Sequence, residues 1–315
     1  QNGTRKSRKE RTHVKMKEQK CGGEIELTGI TRSRAADVIG NYFGTAKEYE
    51  GGVYDAYSVK DREGRVWKIM RDSSIDARTK DGEIASEAYK TEVVTPVCRY
   101  EDIADIQEVL RQLRHKGAIA NASCGIHIHV DASKQTAQSL RNLVNIMVSK
   151  EDLLFKALGV TDSRADRWCK KAESRFVTDI NRFKPKTRDA IARLWYNETS
   201  RRSHSHYDSS RYHALNLHSL WQGKGIEFRC FNGTTHAGKL KTYIQICLAI
   251  CNQAMTQRTA NVKKTETTNE KYTFRTWLLR MGMIGEEFDT ARKFLLENLS
   301  GDIAFRNGRP NRVAA

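Results

Sequence analysis

Three short segments each set two chemically capable side chains two residues apart. Glu24 and Glu26 lie in Cys-Gly-Gly-Glu-Ile-Glu-Leu (21–27), His127 and His129 in Gly-Ile-His-Ile-His-Val-Asp (125–131), and Glu227 and Arg229 in Ile-Glu-Phe-Arg (226–229). On a β-strand this spacing sends both members of a pair to the same face, and the residues between and beside them (Ile25, Ile126, Ile128, Ile226, Phe228) to the other. Taken singly, each pair has an ordinary reading. Glu-x-Glu is most often a solvent-facing strand edge, His-x-His a hydrogen-bonded pair or half of a zinc hydrolase site, and Glu-x-Arg an exposed alternating strand. Their joint occurrence favours one sheet with an apolar face under helices and a charged face lining a cavity. Such a face needs counter-ions, because buried carboxylates persist when they are paired or bind metal. A set richer in carboxylate than imidazole suits Mg2+ or Mn2+ better than tetrahedral Zn2+, and Mg2+ usually shares its coordination with phosphate.

The elements that must position these residues can be read from periodicity. Strands are expected at 21–27, 89–95, 125–131, 211–217 and 224–231, with a hairpin of 53–59 and 65–70 around Lys60–Gly64. Helices are expected at 31–43, 100–116, 135–158 (one or two), 164–196 (irregular), 237–257 and 273–298. The most regular is 100–116, with Ile103, Ile106, Leu110 and Leu113 at helical spacing and Gly117 at its C-terminal end. This order predicts an α+β fold, an antiparallel or mixed sheet with helices packed on one face and the site on the other.

The chain has 315 residues and a net charge of +17. Residues 1–20 hold eight Lys/Arg against two Glu and read as a basic disordered tail. The remaining excess is spread along the chain, so a nucleic-acid partner is possible but not favoured over attraction of small anions. The seven cysteines are scattered without a Cys-x-x-Cys pair, and neither an apolar leader nor a membrane span is evident, which points to a reduced, cytoplasmic chain. The expected division is the tail, a catalytic domain over 21–257 and a helical C-terminal extension over 258–315, frayed from 306.

The motifs resemble a known family. Asn121–Val130 is similar to the Asn-Gly-Ser-Gly-Met-His-x-His strand of glutamine synthetases. A fuller pattern resembles the amidoligase family of the glutamine synthetase and glutamate–cysteine ligase superfamily. It comprises Gly22–Glu26, Trp67–Ser74, Glu92–Pro96, Cys124–His129, Arg211–Asn216 and Ile226–Arg229, six motifs in the family's order spanning about residues 21–255.

The resemblance implies an ATP-dependent ligase joining a carboxylate to an amine through an acyl phosphate, with small-molecule, amino-acid or peptide substrates. Carried over residue by residue, it makes Glu24, Glu26, Glu92, His127 and Glu227 ligands of two Mg2+ or Mn2+ ions. Glu92 would share the Glu26 site, and His127 and Glu227 would complete the Glu24 site. It sets His129 against the nucleotide phosphates, has Arg229 and Arg211 hold the transferring phosphoryl group, makes Asp72 a further ligand or amine-positioning group, and has Asn216 orient the substrate carboxylate. Two metal ions and two guanidinium groups suit phosphoryl transfer, whose charge sits on oxygen. Tyr54 or Asp55 could supply the base for the amine. His204 and His206 are expected in a mobile loop at the substrate mouth, and His213 on the same face as Arg211. Competing readings are a metal-dependent hydrolase built on His127 and His129, a guanidino kinase of the same superfamily, and a basic nucleic-acid-binding module.

Overall fold

In the computed structural model, which describes residues 15–197, 205 and 207–307, a single sheet organises the chain. Its strands are β1 (Cys21–Leu27), β2 (Lys47–Gly51), β3 (Ala56–Lys60), β4 (Val66–Met70), β5 (Thr91–Val94), β6 (Gly125–Val130), β7 (Leu215–Asn216) and β8 (Ile226–Asn232). They lie in the order β2-β3-β4-β5-β1-β6-β8-β7, every neighbouring pair antiparallel. The α+β expectation therefore resolves to an open, wholly antiparallel sheet.

The helices among the described residues are α1 (Arg32–Phe43), α2 (Ile103–His115), α3 (Ala137–Leu158), α4 (Asp162–Trp168), α5 (Ser174–Phe183), α6 (Arg188–Trp195), α7 (His218–Trp221), α8 (Ala237–Thr256), α9 (Glu270–Arg280) and α10 (Asp289–Leu296). α1 packs on β3, β4 and β5; α8 packs on β6 and α3 on β8, with α2 between α1 and α8. Ile25, Val93, Ile126, Ile128 and Phe228 from the sheet join Ile39, Leu110, Leu140 and Ile244 from the helices in one core. Full burial of a side chain of this size stabilises by roughly 1.5–3 kcal/mol. α2 shows how the pattern becomes structure: Ile103, Ile106, Val109, Leu110 and Leu113 are all buried, and Gly117 follows with φ of 105°, a conformation that ends the helix without strain.

Some elements differ from expectation. β2 was not anticipated; it is a charged edge strand, exposed along most of its length, and so lacks the apolar alternation that marks a half-buried strand. The strand expected over 211–217 shrinks to Leu215–Asn216, because Asp208 caps a short 3-10 turn (Ser209–Arg211) and His213 bridges to Lys170 instead. The helical stretch 164–196 divides into α4, α5 and α6, each of α4 and α6 opened by a threonine cap, Thr161 and Thr187. Residues 1–14 lie outside the described residues. Residues 16–18 form a 3-10 turn, and buried Gln19 donates to Leu248 O at 2.8 Å, which fixes the segment to α8. At the other end, Phe274, Trp277, Leu278, Leu295 and Leu296 belong to the same core as the sheet.

One irregularity bears on the site. Between β6 and β8, Ile126 pairs with Phe231 but Ile128 with Phe228, so Arg229 and Cys230 together oppose His127. This β-bulge lets Glu227 and Arg229 face the charged side while Phe231, beyond it, stacks on Tyr243 of α8 with ring centroids 4.4 Å apart.

Candidate active site

The register of β5, β1, β6, β8 and β7 aligns the chemical residues in rows across the strands. Glu92 pairs with Glu26, Glu24 with His127, His129 with Glu227, and Glu227 with Asn216. Because the sheet period is two, all of them project from one face. His127 Nδ1 lies 3.0 Å from Glu24 Oε2, and His129 Nε2 lies 3.2 Å from Glu24 Oε1. His127 Nε2 is 3.7 Å from Glu26, and His127 Nδ1 is 3.8 Å from Glu227. Arg229 Nη1 pairs with Glu227 Oε1, and Asn216 Nδ2 donates to Glu227 Oε2 at 2.6 Å.

Three overlapping groups of ligand-type atoms result: Glu24, His129 and Glu227; Glu24, Glu92 and His127; and Glu26, Asp72 and Glu92, the atoms of each lying within 4.8 Å of one another. All five residues expected to bind metal are thus in one cluster, joined by His129 and Asp72. Glu24 and Glu227 have both histidines beside them, His129 in the first group and His127 at 3.0 Å from Glu24 and 3.8 Å from Glu227, and Asp72 lies beside Glu26 and Glu92.

The electrostatics of the cluster are unbalanced. Burial, reinforced by Glu24, Glu26 and Asp72, pushes the Glu92 carboxyl well above the usual range. Burial also raises Glu26; His127 opposes the shift and Asp72 adds to it. Burial alone would raise Glu24 and Glu227 too. His129 and His127 outweigh it at Glu24, and Arg229 and His129 outweigh it at Glu227, so both are lowered. Burial acts downward on His129, but Glu24 and Glu227 leave its imidazole raised. The carboxylates thus exceed the cations among them, the condition under which a hard divalent ion binds.

Two cavities meet at Glu24, Val94 and Lys224. The first, about 370 Å³, holds the Glu26–Asp72–Glu92 group together with His127, Arg229 and Arg211. The second, about 550 Å³, is walled by Gly22, Gly23, Thr95, Pro96, Val97, His129 and the Gly223–Gly225 turn.

Several residues of the first cavity, Arg164 and Trp168 of α4 among them, lie outside the sequence motifs. Arg164 of α4 is buried and donates to Cys124 O at 3.1 Å and Phe231 O at 3.0 Å, across the rim of β6 and β8. Its Nε, like that of Arg229, is buried without a hydrogen-bond partner among the described residues. Arg71, Ser73, Ser74, Trp168 and Tyr212 also line this space. Tyr54 and Tyr207, hydroxyl to hydroxyl at 2.9 Å, close its exposed side.

Other candidates fall elsewhere. Asp55 is engaged by Arg32 and Tyr49 and does not line the cavity. His213 holds Ser210 O at 2.8 Å and packs edge-on against Trp195, away from Arg211's cavity. Asn216, by contrast, stays on the face of the cluster, its amide donating to Glu227. His218 is a buried partner of Tyr196. His204 and His206 lie outside the described residues.

No helix of the described chain is long and apolar enough to cross a membrane. No curated protein matches the chain. A sequence model of one family matches residues 17–251, most of the chain and every residue of the carboxylate–imidazole cluster. By that match the chain belongs to the family described as putative amidoligase enzymes.

Proposed function

We propose that the protein is an ATP- and Mg2+-dependent carboxylate–amine ligase with a glutamine synthetase-like catalytic sheet. The observation that carries this reading is the set of overlapping ligand groups on one sheet face, bordered by Arg229 and Arg211. The donor set fits two hard cations: it is dominated by carboxylate oxygen, and its own cations leave Glu92 and Glu26 raised. Glu24, Glu227 and a histidine would hold one ion, and Glu26 and Glu92 the other. Bound there, divalent ions would neutralise the phosphate oxygens of ATP.

The chain's own residues do the rest. The larger cavity, with backbone-rich and apolar walls, suits the nucleoside, and Lys224 and His129 lie where it opens toward the cluster. Arg229 and Arg211 bind the oxygens of the phosphoryl group in transfer, and the unpartnered Arg229 Nε is a donor available to them. A substrate carboxylate oxygen attacks the γ-phosphorus, the bond to the β-phosphate oxygen breaks, and ADP departs. The amine then attacks the acyl carbon, phosphate leaves with the electron pair of the C–O bond, and the amine's proton passes to a base. Asp72, which lines the cavity with Tyr54 and Arg211, is the carboxylate we assign to that role.

The test is ATP consumption with a carboxylate labelled with 18O. A ligase releases ADP and carries one label into inorganic phosphate, and needs Mg2+, the carboxylate and the amine together. Unchanged ATP across a broad panel of acids and amines, with zinc bound stoichiometrically, would instead establish the hydrolase.

A further inference from the structure

On the helical side of the sheet lies a third cavity, of about 410 Å³, which shares no lining residue with the two described above. α3 contributes Ile146, Ser149 and Lys150, α8 contributes Gln253, and α9 contributes Tyr272, Thr276, Trp277 and Arg280, with Arg306 closing one side. Among the described residues, no Asp or Glu lines it. Among the described residues, none of Lys150, Arg280 and Arg306 makes an ion pair with a carboxylate. The Lys150 ammonium donates to Thr265 Oγ1 at 2.6 Å and lies 5.9 Å from the Trp277 ring centroid, both neutral partners. Burial and the nearby Arg280 lower its pKa, the mark of a cation short of counter-charge. Gln257 also lines the space, and among the described residues its Oε1 is buried without a donor.

We propose that this cavity is a binding site for a phosphate monoester with a hydroxyl-bearing organic body, such as a sugar phosphate. Lys150, Arg280 and Arg306 supply the charge, and two guanidinium forks with an ammonium match the several oxygens of a phosphate. The volume exceeds what bare phosphate fills, so the anion must carry a body that packs beside Tyr272 and Trp277. The unfilled Gln257 acceptor calls for a hydroxyl on that body.

Most of the lining, from Gln253 onward, follows the family-matched segment, which ends at residue 251. The site therefore belongs to this chain's own C-terminal region. Its existence does not depend on the ligase reading.

The experiment is calorimetric titration of the full chain with ribose 5-phosphate, inorganic phosphate and ribose, repeated on Lys150→Gln, Arg280→Gln and Arg211→Gln. The expected result is saturable binding of ribose 5-phosphate, tighter than phosphate, with ribose inert. Lys150→Gln and Arg280→Gln should each weaken it about tenfold, the loss expected for one charged contact, and Arg211→Gln should leave it unchanged. Absence of saturable binding overturns the proposal, as does loss with Arg211→Gln alone, which would locate the anion in the catalytic cavity. Equal affinity for phosphate and ribose 5-phosphate overturns the organic body. Unchanged melting of the two pocket variants, Lys150 being partly buried and Arg280 exposed, separates lost contacts from lost fold.

Discussion

Gly125 and Arg164 compete for one volume: a Cβ on Gly125 would stand 2.1 Å from Arg164 Nη2. The glycine beside the His-x-His strand is therefore what admits a guanidinium from α4 to the rim of the cluster. Gly125→Ala should displace Arg164 and break its bonds to Cys124 O and Phe231 O. A stability loss of about 1–3 kcal/mol is expected from the overpacking, readable as a lower denaturation midpoint, together with a fall in ATP turnover.

Arg229 and Arg211 should answer differently to truncation. Arg229 is buried against Glu227, so Arg229→Ala leaves a buried carboxylate uncompensated and should cost about 3–5 kcal/mol. Arg211 is only partly buried and lies near the rings of Tyr207 and Tyr212. Arg211→Ala should keep the wild-type midpoint yet lower kcat by about a hundredfold or more if it holds the transferring group. A stable, fully active Arg211→Ala protein would remove it from the mechanism.

The raised carboxyl of Glu92 predicts opposite effects on stability and activity. In metal-free protein the folded state holds that proton above the pKa of the unfolded chain, so the group's contribution declines as pH rises from about 4.3. Glu92→Gln should thus melt higher than wild type at neutral pH, by a margin that shrinks on acidification, while losing activity. Adding Mg2+ should raise the wild-type midpoint and do so much less for Glu92→Gln or Glu24→Gln; saturation near a hundred times Kd corresponds to about 2.7 kcal/mol.

Glu270 offers a pH probe far from the cluster. Although burial acts upward, Lys156 and the Ser300 N–H and hydroxyl bring its carboxyl down to about 2. Its stabilisation is complete above the unfolded value near 4.3 and lost as pH falls toward 2. Glu270→Gln should cost about 1–2 kcal/mol at neutral pH, discounted for solvent screening, and almost nothing at the acid end. Parallel melts of wild type and variant across that range would check it. A cost independent of pH would show that the carboxylate's charge is not what ties α9 to α3.

What was legible in the sequence was what a strand's period of two can encode. Glu24, Glu26, His127, His129, Glu227 and Arg229 each sit one residue from an isoleucine or phenylalanine that had to be buried, so their shared face followed from the apolar one. Glu92 and Asp72 came only through resemblance, since their own segments carry no repeated spacing. Arg164 was not legible, because a single arginine in an amphipathic stretch gives no sign of which way tertiary packing will turn it; the one available signal was Gly125. Asp55 misled for the converse reason: its carboxylate is claimed by Arg32, from another element. β2 was missed because edge strands protect themselves with charge, and the Arg211 strand was overextended because Asp208 and Lys170 redirected the backbone locally.

The bulge opposite His127 carries a last consequence, one of inheritance rather than chemistry. β8 spends one additional residue there and so changes allegiance midway, from the cavity to the helices. Without the bulge, strict alternation of the same residues would turn Phe231 outward among the carboxylates and leave Tyr243 without its partner, whereas losing the single codon of Cys230 would keep Phe231 opposite Ile126 and facing α8. The strand therefore carries one residue to spare, and at Cys230 alone a one-codon loss would leave both faces as they are.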